Sequence, residues 1–483
     1  MRRIVRAELL ALALSSVGCG GGGGGGGASR DLGHEVLGAE DGWGSVAPGT
    51  PGGALATPEQ TYVVHNRAEL LAALNDGAIP SEPPPPMRGE PRPPPLAPPS
   101  NASKLIVVEG TLDFNVDDAN QPLRCEDYYR DGYTPQAFDA TYLPEVWGRN
   151  DTRGPLEDAR EASSQEQEER IRMRVGSNTT LVGRGVDARL RGVWLDIRGS
   201  DDENVSNIVI RNLTFEDTFD CFPEWSPTDG FLGSWNAQFD TISLRHVDHV
   251  WIDHNTFQDR ETLDALQAER LLVKYRAHAH QLQVRSASDL LTITYNRFLD
   301  HEQVMMIGSS DSALADRGKL RATLHHNLFR NTGQSTPHVR FGQVHLYNNL
   351  YEQVGNAGYN YSWGAGFESA VYAQNNVFAT DASVTPDRLI RSFAGTSLFE
   401  SGTVVESGTV VESGTMVESG TVFESGRVDV GEPRAVDLVG AWNETNDPDL
   451  SRDVGWRPAL WSTMSATTRI SAIVSRESGP IDW

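Results

Sequence analysis

An all-β solenoid is the fold class this sequence predicts, on three observations. A word of apolar alternation, closed by Asn and then an aromatic residue, recurs six times. The asparagines lie 43, 41, 31, 22 and 27 residues apart. No helical periodicity interrupts residues 290–380. Period-two alternation marks a strand with one buried face, and one word returning at irregular intervals marks stacked rungs with loops inserted between them.

The copies are NIVIRNLTF from Asn207, HVWIDHNTF from His249, LLTITYNRF from Leu290, RATLHHNLF from Arg321, QVHLYNNLY from Gln343 and AVYAQNNVF from Ala370. Their asparagines, Asn212, Asn255, Asn296, Asn327, Asn349 and Asn376, are expected at the turns of successive rungs. Asn tolerates left-handed backbone angles there, and its amide can hydrogen-bond along the stack. The solenoid is expected over about residues 100–440.

Other segments are additions to this body. Residues 1–19 have a basic start, an apolar run from Leu9 to Leu14 and small residues before Cys19. That is the pattern of an export signal too short to span a bilayer, so no transmembrane span is expected. The run SVGC resembles a bacterial lipoprotein cleavage box, which leaves two alternatives: a lipid anchor at Cys19, or plain secretion. Either way the expected location is outside the cell or on its envelope. Residues 20–29 form a Gly-rich tether, and residues 30–483 are the folded domain. Two insertions interrupt that domain. Residues 80–103 are Pro-rich and cannot supply donors to a sheet. Residues 400–426 repeat every six residues, and an even repeat keeps each side chain of a strand on one face.

With 38% hydrophobic and 22% charged residues among 483, the chain is neither collagen-like nor disordered. Its formal net charge of −25 excludes nucleic acid as a partner and would repel an anionic polymer unless a local basic cleft intervened. Cys125 and Cys221 either pair or stay as separate buried thiols.

The words DLGHEVLGAEDGWGS, FPEWSPTDGFLGSWNAQFDTISL, VWIDHNTF, IGSSDSALADRGKLRATLHHN and VRFGQVHLYNNLYE together resemble the bacterial pectate lyases of polysaccharide lyase family 1, from about Arg30 to the C-terminus. The resemblance implies a right-handed parallel β-helix, a secreted monomer and calcium-assisted β-elimination of polygalacturonate or pectin, an acidic plant-type polysaccharide. That reaction takes a proton from C5 of a uronate, so cations must neutralise the adjacent carboxylate and a base must accept the proton.

Carried over residue by residue, Asp240 falls on the family's first calcium aspartate. The other two acidic ligands fall on Ala279 and Gln283, which bear no charge, and calcium prefers several hard oxygens with carboxylates among them. Calcium binding is therefore expected to be weakened or lost. The family lysine falls on Gln303, and the base arginine falls on Ser335 in the word STPHVR. A serine without a basic partner is a poor base. Arg340 keeps the second arginine of that word, whose fork suits a carboxylate. Asp253 and His254 are expected to be structural, and His278 and His280 to share one strand face. The expected function is action on, or binding of, polygalacturonate through a degenerate catalytic site. One alternative is residual eliminase activity through His338 or Arg276; the other is a non-catalytic carbohydrate-binding or structural surface protein.

Overall fold

The computed structural model describes residues 31–78, 99–229, 231–260, 269–271, 273–355, 358–407 and 433–483. The leader, the tether, residues 80–98 of the Pro-rich insertion and residues 408–426 of the hexad insertion lie outside the described residues.

The chain winds as a right-handed parallel β-helix, each full rung visiting three sheets. The first sheet has ten strands, from Thr61–Val64 and Lys104–Val108 through Val205–Arg211, Val247–Asp253 and Asp289–Thr294 to Leu398–Ser401. The third, also of ten, runs from Thr111–Asp113 through Arg297–Gln303 and Leu328–Gln334 to Val404–Ser407, closed by the antiparallel Arg434–Ala435. The second has eight strands, from Arg172–Arg174 and Trp194–Arg198 through Ile242–Arg245, Leu282–Arg285, Met305–Ile307 and His338–Val339 to Ile390–Phe393. The solenoid begins earlier than expected, because Thr61–Val64 pairs in parallel with Lys104–Val108 and the Pro-rich insertion sits between them.

Parallel pairing in register stacks like on like. Ile106, Leu181, Ile210, Ile252, Ile293, Leu324 and Leu346 follow one another inward on the first sheet, each essentially inaccessible. On the third sheet the aromatic residue of the repeated word stacks from Phe215 through Phe257, Phe298, Phe329 and Tyr351 to Phe378, with ring centroids 4.3–5.0 Å apart. Each such pair contributes about 0.5–1.5 kcal/mol beyond its buried area.

At the turn between these sheets the expectation for asparagine is half corrected. Asn255, Asn296, Asn327, Asn349 and Asn376 form a buried ladder, each amide nitrogen donating to the next Oδ1 at 3.0–3.1 Å. The left-handed residue is the one before: His254, Tyr295, His326, Asn348 and Asn375, with φ between 49° and 55°. Asn212, with φ 58°, belongs to that earlier row. Leu213 occupies the ladder position and donates its N–H to Asn255 Oδ1 at 3.0 Å.

Three segments clothe the helix. Residues 41–53 lace the outer face of the first sheet, where Thr180, Thr292 and Thr323 accept backbone N–H groups from Gly53, Gly44 and Trp43. The C-terminal helix Ile470–Glu477 lays Ile470 and Val474 on Leu299, Leu328, Leu350 and Val377. An excursion between the strands Thr111–Asp113 and Arg172–Arg174 carries the helix Pro155–Ile171 and packs Tyr133, Phe138 and Tyr142 in one aromatic cluster with Phe222 and Trp235, which come after the strand Thr214–Glu216. Cys125 and Cys221 are joined by a disulfide, across 96 residues, that ties this excursion to the rungs. Among the described residues no helix is long and apolar enough to cross a membrane.

Candidate functional site

Successive rungs bring outward side chains of the second sheet together in a groove of about 660 Å³. Strand pairing aligns Asp196, Ser243, Gln283, Met306, His338 and Gly364 across it. Asp240, Ala279, Gln283, Gln303 and Ser335, drawn from almost 100 residues of sequence, all line it. Arg340 is placed at its margin: Nε donates to Asp311 Oδ1 at 2.9 Å and Nη1 lies 3.2 Å from Met306 Sδ.

Asp240 is buried, and both its oxygens are engaged. Oδ1 accepts from the His280 backbone N–H at 3.2 Å and lies 3.2 Å from His280 Nδ1, while Oδ2 accepts from Ser243 Oγ at 2.7 Å. Burial pushes the Asp240 carboxyl up, but hydrogen bonds and charge from His280, with Ser243, hold it below the usual carboxylate range. Calcium takes six to eight oxygens. Here it would meet one carboxylate already hydrogen-bonded through both oxygens, a methyl group at Ala279 and a neutral amide at Gln283, so this donor set does not fit the ion. Among the described residues no cluster of three His, Cys, Asp or Glu side chains could hold a metal.

Ser335 and its surroundings offer little base strength. The Ser335 and Tyr361 hydroxyls are 2.9 Å apart, and the Tyr361 hydroxyl also meets His338 Nδ1 at 3.1 Å. All three side chains are buried. Burial pushes the Tyr361 phenol up, so it is not a proton acceptor at neutral pH. Burial, then the Arg340 charge and the neighbouring His280, bring His338 down to about 3, so the ring is neutral and holds an added proton poorly. The ring stacks on Phe393 with centroids 4.4 Å apart. It fits only because Gly364 lacks a Cβ, which would stand 3.0 Å from His338 Cγ.

The cations that do reach the groove are mostly paired. Arg276 Nη1 donates to Asp229 Oδ2 and Asn236 Oδ1, both at 2.9 Å, and Arg391 Nη1 donates to Asn360 Oδ1 at 2.6 Å. Lys274 is paired with Glu302. His278 and His280 turn to different partners: His280 to Asp240, and His278 toward Asp259, 3.8 Å away, whose Oδ2 also meets His301 Nδ1 at 2.6 Å. Asp253 is buried outside the groove between Arg211, Thr294 and His254, at 2.7, 2.7 and 2.8 Å. Sequence reasoning missed Tyr361 and Arg391, which stand outside any matched word, and Arg285, which does follow Gln283 by two and so shares its face.

A family model described as pectate lyase matches residues 136–418. A pectate lyase of Bacillus subtilis (strain 168) is 33% identical over 482 residues, covering 99% of each chain. The chain belongs to the pectate lyase family. Among solved structures, a thermostable pectate lyase superposes with a TM-score of 0.80 at 38% identity, covering 93% of this chain and 99% of that one. A pectate lyase bound to a hexasaccharide superposes at 0.77 and 34% identity, with the same coverage. Over 93% of its length the chain thus shares the scaffold of these pectate lyases.

Proposed function

We propose that this pectate lyase family member binds polygalacturonate in the groove on the second sheet and does not catalyse its calcium-dependent β-elimination. The relatives are named for pectate, and one was solved with a hexasaccharide, which supports a uronate polymer as ligand. Elimination needs the C5–H bond broken by a base, the C4–O bond broken with a proton returned to the leaving oxygen, and the uronate carboxylate neutralised meanwhile.

The observation that carries the reading is the buried chain Ser335–Tyr361–His338. It puts a hydroxyl, an un-ionised phenol and a neutral imidazole where the resemblance implies a base. A missing general base alone removes about 10²–10⁴ in rate. With one carboxylate, Asp240, beside Ala279 and Gln283, the groove lacks the calcium charge that would neutralise the uronate carboxylate as well. The leader pattern supports export, to the envelope or the medium.

The test is absorbance from the new C4–C5 double bond when polygalacturonate is mixed with purified protein, in calcium and in chelator. No signal in either condition, together with retention on a polygalacturonate column, is the expected result. Strong turnover abolished by chelator would overturn the degenerate-site reading. Chelator-resistant turnover would restore the alternative of a rearranged eliminase site.

A further inference from the structure

The outer face of the second sheet carries a second feature, on the rungs before the groove. Two residues past the aligned Asp196, Ser243 and Gln283 stand Arg198, Arg245 and Arg285, also in register. Neighbouring strands lie about 4.8 Å apart, so the three stems stack one per rung. They border a trough of about 420 Å³ with Trp194, Phe239, Gln238 and the mutually paired Glu168 and Arg172. Gln238 and Arg285 line both hollows, which makes the trough continuous with the groove.

These arginines are short of anions in a chain with 66 acidic residues. Asp196, fully buried, is shared by Arg198 Nη2 at 3.4 Å and Arg174 Nε at 3.9 Å. Among the described residues Arg245 and Arg285 have no carboxylate within ion-pair distance. The Nε atoms of Arg174, Arg198, Arg245 and Arg285 are buried without a hydrogen-bond partner. Like charges stacked a rung apart repel, and partial burial adds to the cost. Burial, then the charges of Arg285 and Arg198, bring Arg245 down to about 10, still cationic at neutral pH. A solvated surface stripe would leave those Nε atoms to water. A polyanion in the trough would supply the missing counter-charge, and a planar fork of donors suits carboxylates in particular.

We infer that Arg245 and Arg285, with Arg198 on the rung before, form a carboxylate-binding tract that extends the groove toward the N-terminal rungs and takes successive uronate carboxylates of one polymer chain without calcium. This rests on reading the groove as a polyuronate site. A chain laid across the strands meets one arginine per rung, at a spacing of the order of one pyranose ring.

The experiment measures fluorescence anisotropy of labelled hexagalacturonate in chelator, with dextran sulfate as a second polyanion and the fully methyl-esterified hexamer as a neutral control. The expected result is that wild type binds hexagalacturonate, salt weakens it, and the esterified hexamer is not held. R245Q and R285Q should each weaken binding about tenfold, or about 1.4 kcal/mol, and R245K should recover part of it. R317Q, on a distant exposed pair with Glu368, should change nothing. Both arginines lack partners, so Gln leaves no orphaned group behind, and a thermal melt checks folding. Hexagalacturonate affinity unchanged in a folded R245Q/R285Q protein overturns the tract and leaves the groove reading standing. Wild type holding dextran sulfate but not hexagalacturonate, with that binding lost in the double variant, overturns the polyuronate reading instead. Binding of neither polymer overturns both.

Discussion

Asn327 holds two rungs at once. Its Oδ1 accepts from the backbone N–H of Asn296 at 3.0 Å and from Asn296 Nδ2 at 3.1 Å, while its own Nδ2 donates to Ile293 O at 2.9 Å and Asn349 Oδ1 at 3.0 Å. Asn327→Ala removes four hydrogen bonds from a fully buried ladder; Asn349 Oδ1 keeps the Asn327 backbone N–H and Asn296 Nδ2 keeps Ile252 O, but the Asn296 backbone N–H loses its Asn327 acceptor, at about 1–3 kcal/mol for each group that finds no water. Denaturant unfolding is expected to show a loss of at least ~3 kcal/mol; a loss below ~1 kcal/mol would mean the ladder is optional. His338 makes a different prediction. Its folded pKa of about 3 lies below the 6.5 of an ordinary histidine, so between those values the unfolded state binds the proton more readily. Stability from this residue is therefore full above 6.5 and drains as pH falls toward 3. The melting-temperature advantage of wild type over His338→Asn is expected to shrink from pH 7 to pH 4. A constant difference would show that the ring is not held neutral.

At the scale of the element, the excursion that carries the helix Pro155–Ile171 packs in an aromatic cluster shared with Phe222 and Trp235 and is fastened by one disulfide. Closing a loop of 96 residues limits the unfolded chain and contributes about 4–5 kcal/mol in the chain-entropy description. Cys125→Ser with Cys221→Ser is expected to lower the melting temperature and to open proteolytic sites within residues 114–171 first. The rungs zip through local neighbours and do not depend on that closure. Simultaneous loss of all rungs in limited proteolysis would contradict this. The last rung has its own closure: Glu400, in line after the inward Leu346 and Ala373, accepts the N–H groups of Thr403 and Leu438 at 3.2 Å. The first residue of the hexad insertion thus helps seat the helix Leu438–Thr445.

At the scale of the whole molecule, a scaffold of the family is retained in a chain of net charge −25, and the proposed function turns on uncharged side chains at Ala279, Gln283, Gln303 and Ser335. A ligand that binds only the folded state stabilises it by about 2.7 kcal/mol at a hundredfold excess over Kd. Because the Asp240 donor set does not fit calcium, neither millimolar calcium nor chelator is expected to move the melting temperature. A rise of several degrees with calcium, reversed by chelator, would place a calcium site elsewhere in the chain.

Much of this was legible in the sequence, for a local reason. Strand side chains alternate by two, so the repeated words determined which residues face inward, and the resemblance placed Ala279, Gln283, Gln303 and Ser335 in what proves to be one groove. Even the slip at Asn212 left a signal, since Phe215 follows it by three residues where the other copies are spaced by two. Rung-to-rung neighbours are another matter. They come from positions tens of residues apart, and the lengths of the intervening loops decide their register. Only the tertiary structure could therefore join Ser335 to His338 through Tyr361, saturate Asp240 with His280 and Ser243, turn Arg340 to Asp311, and stack Arg198, Arg245 and Arg285 into one row.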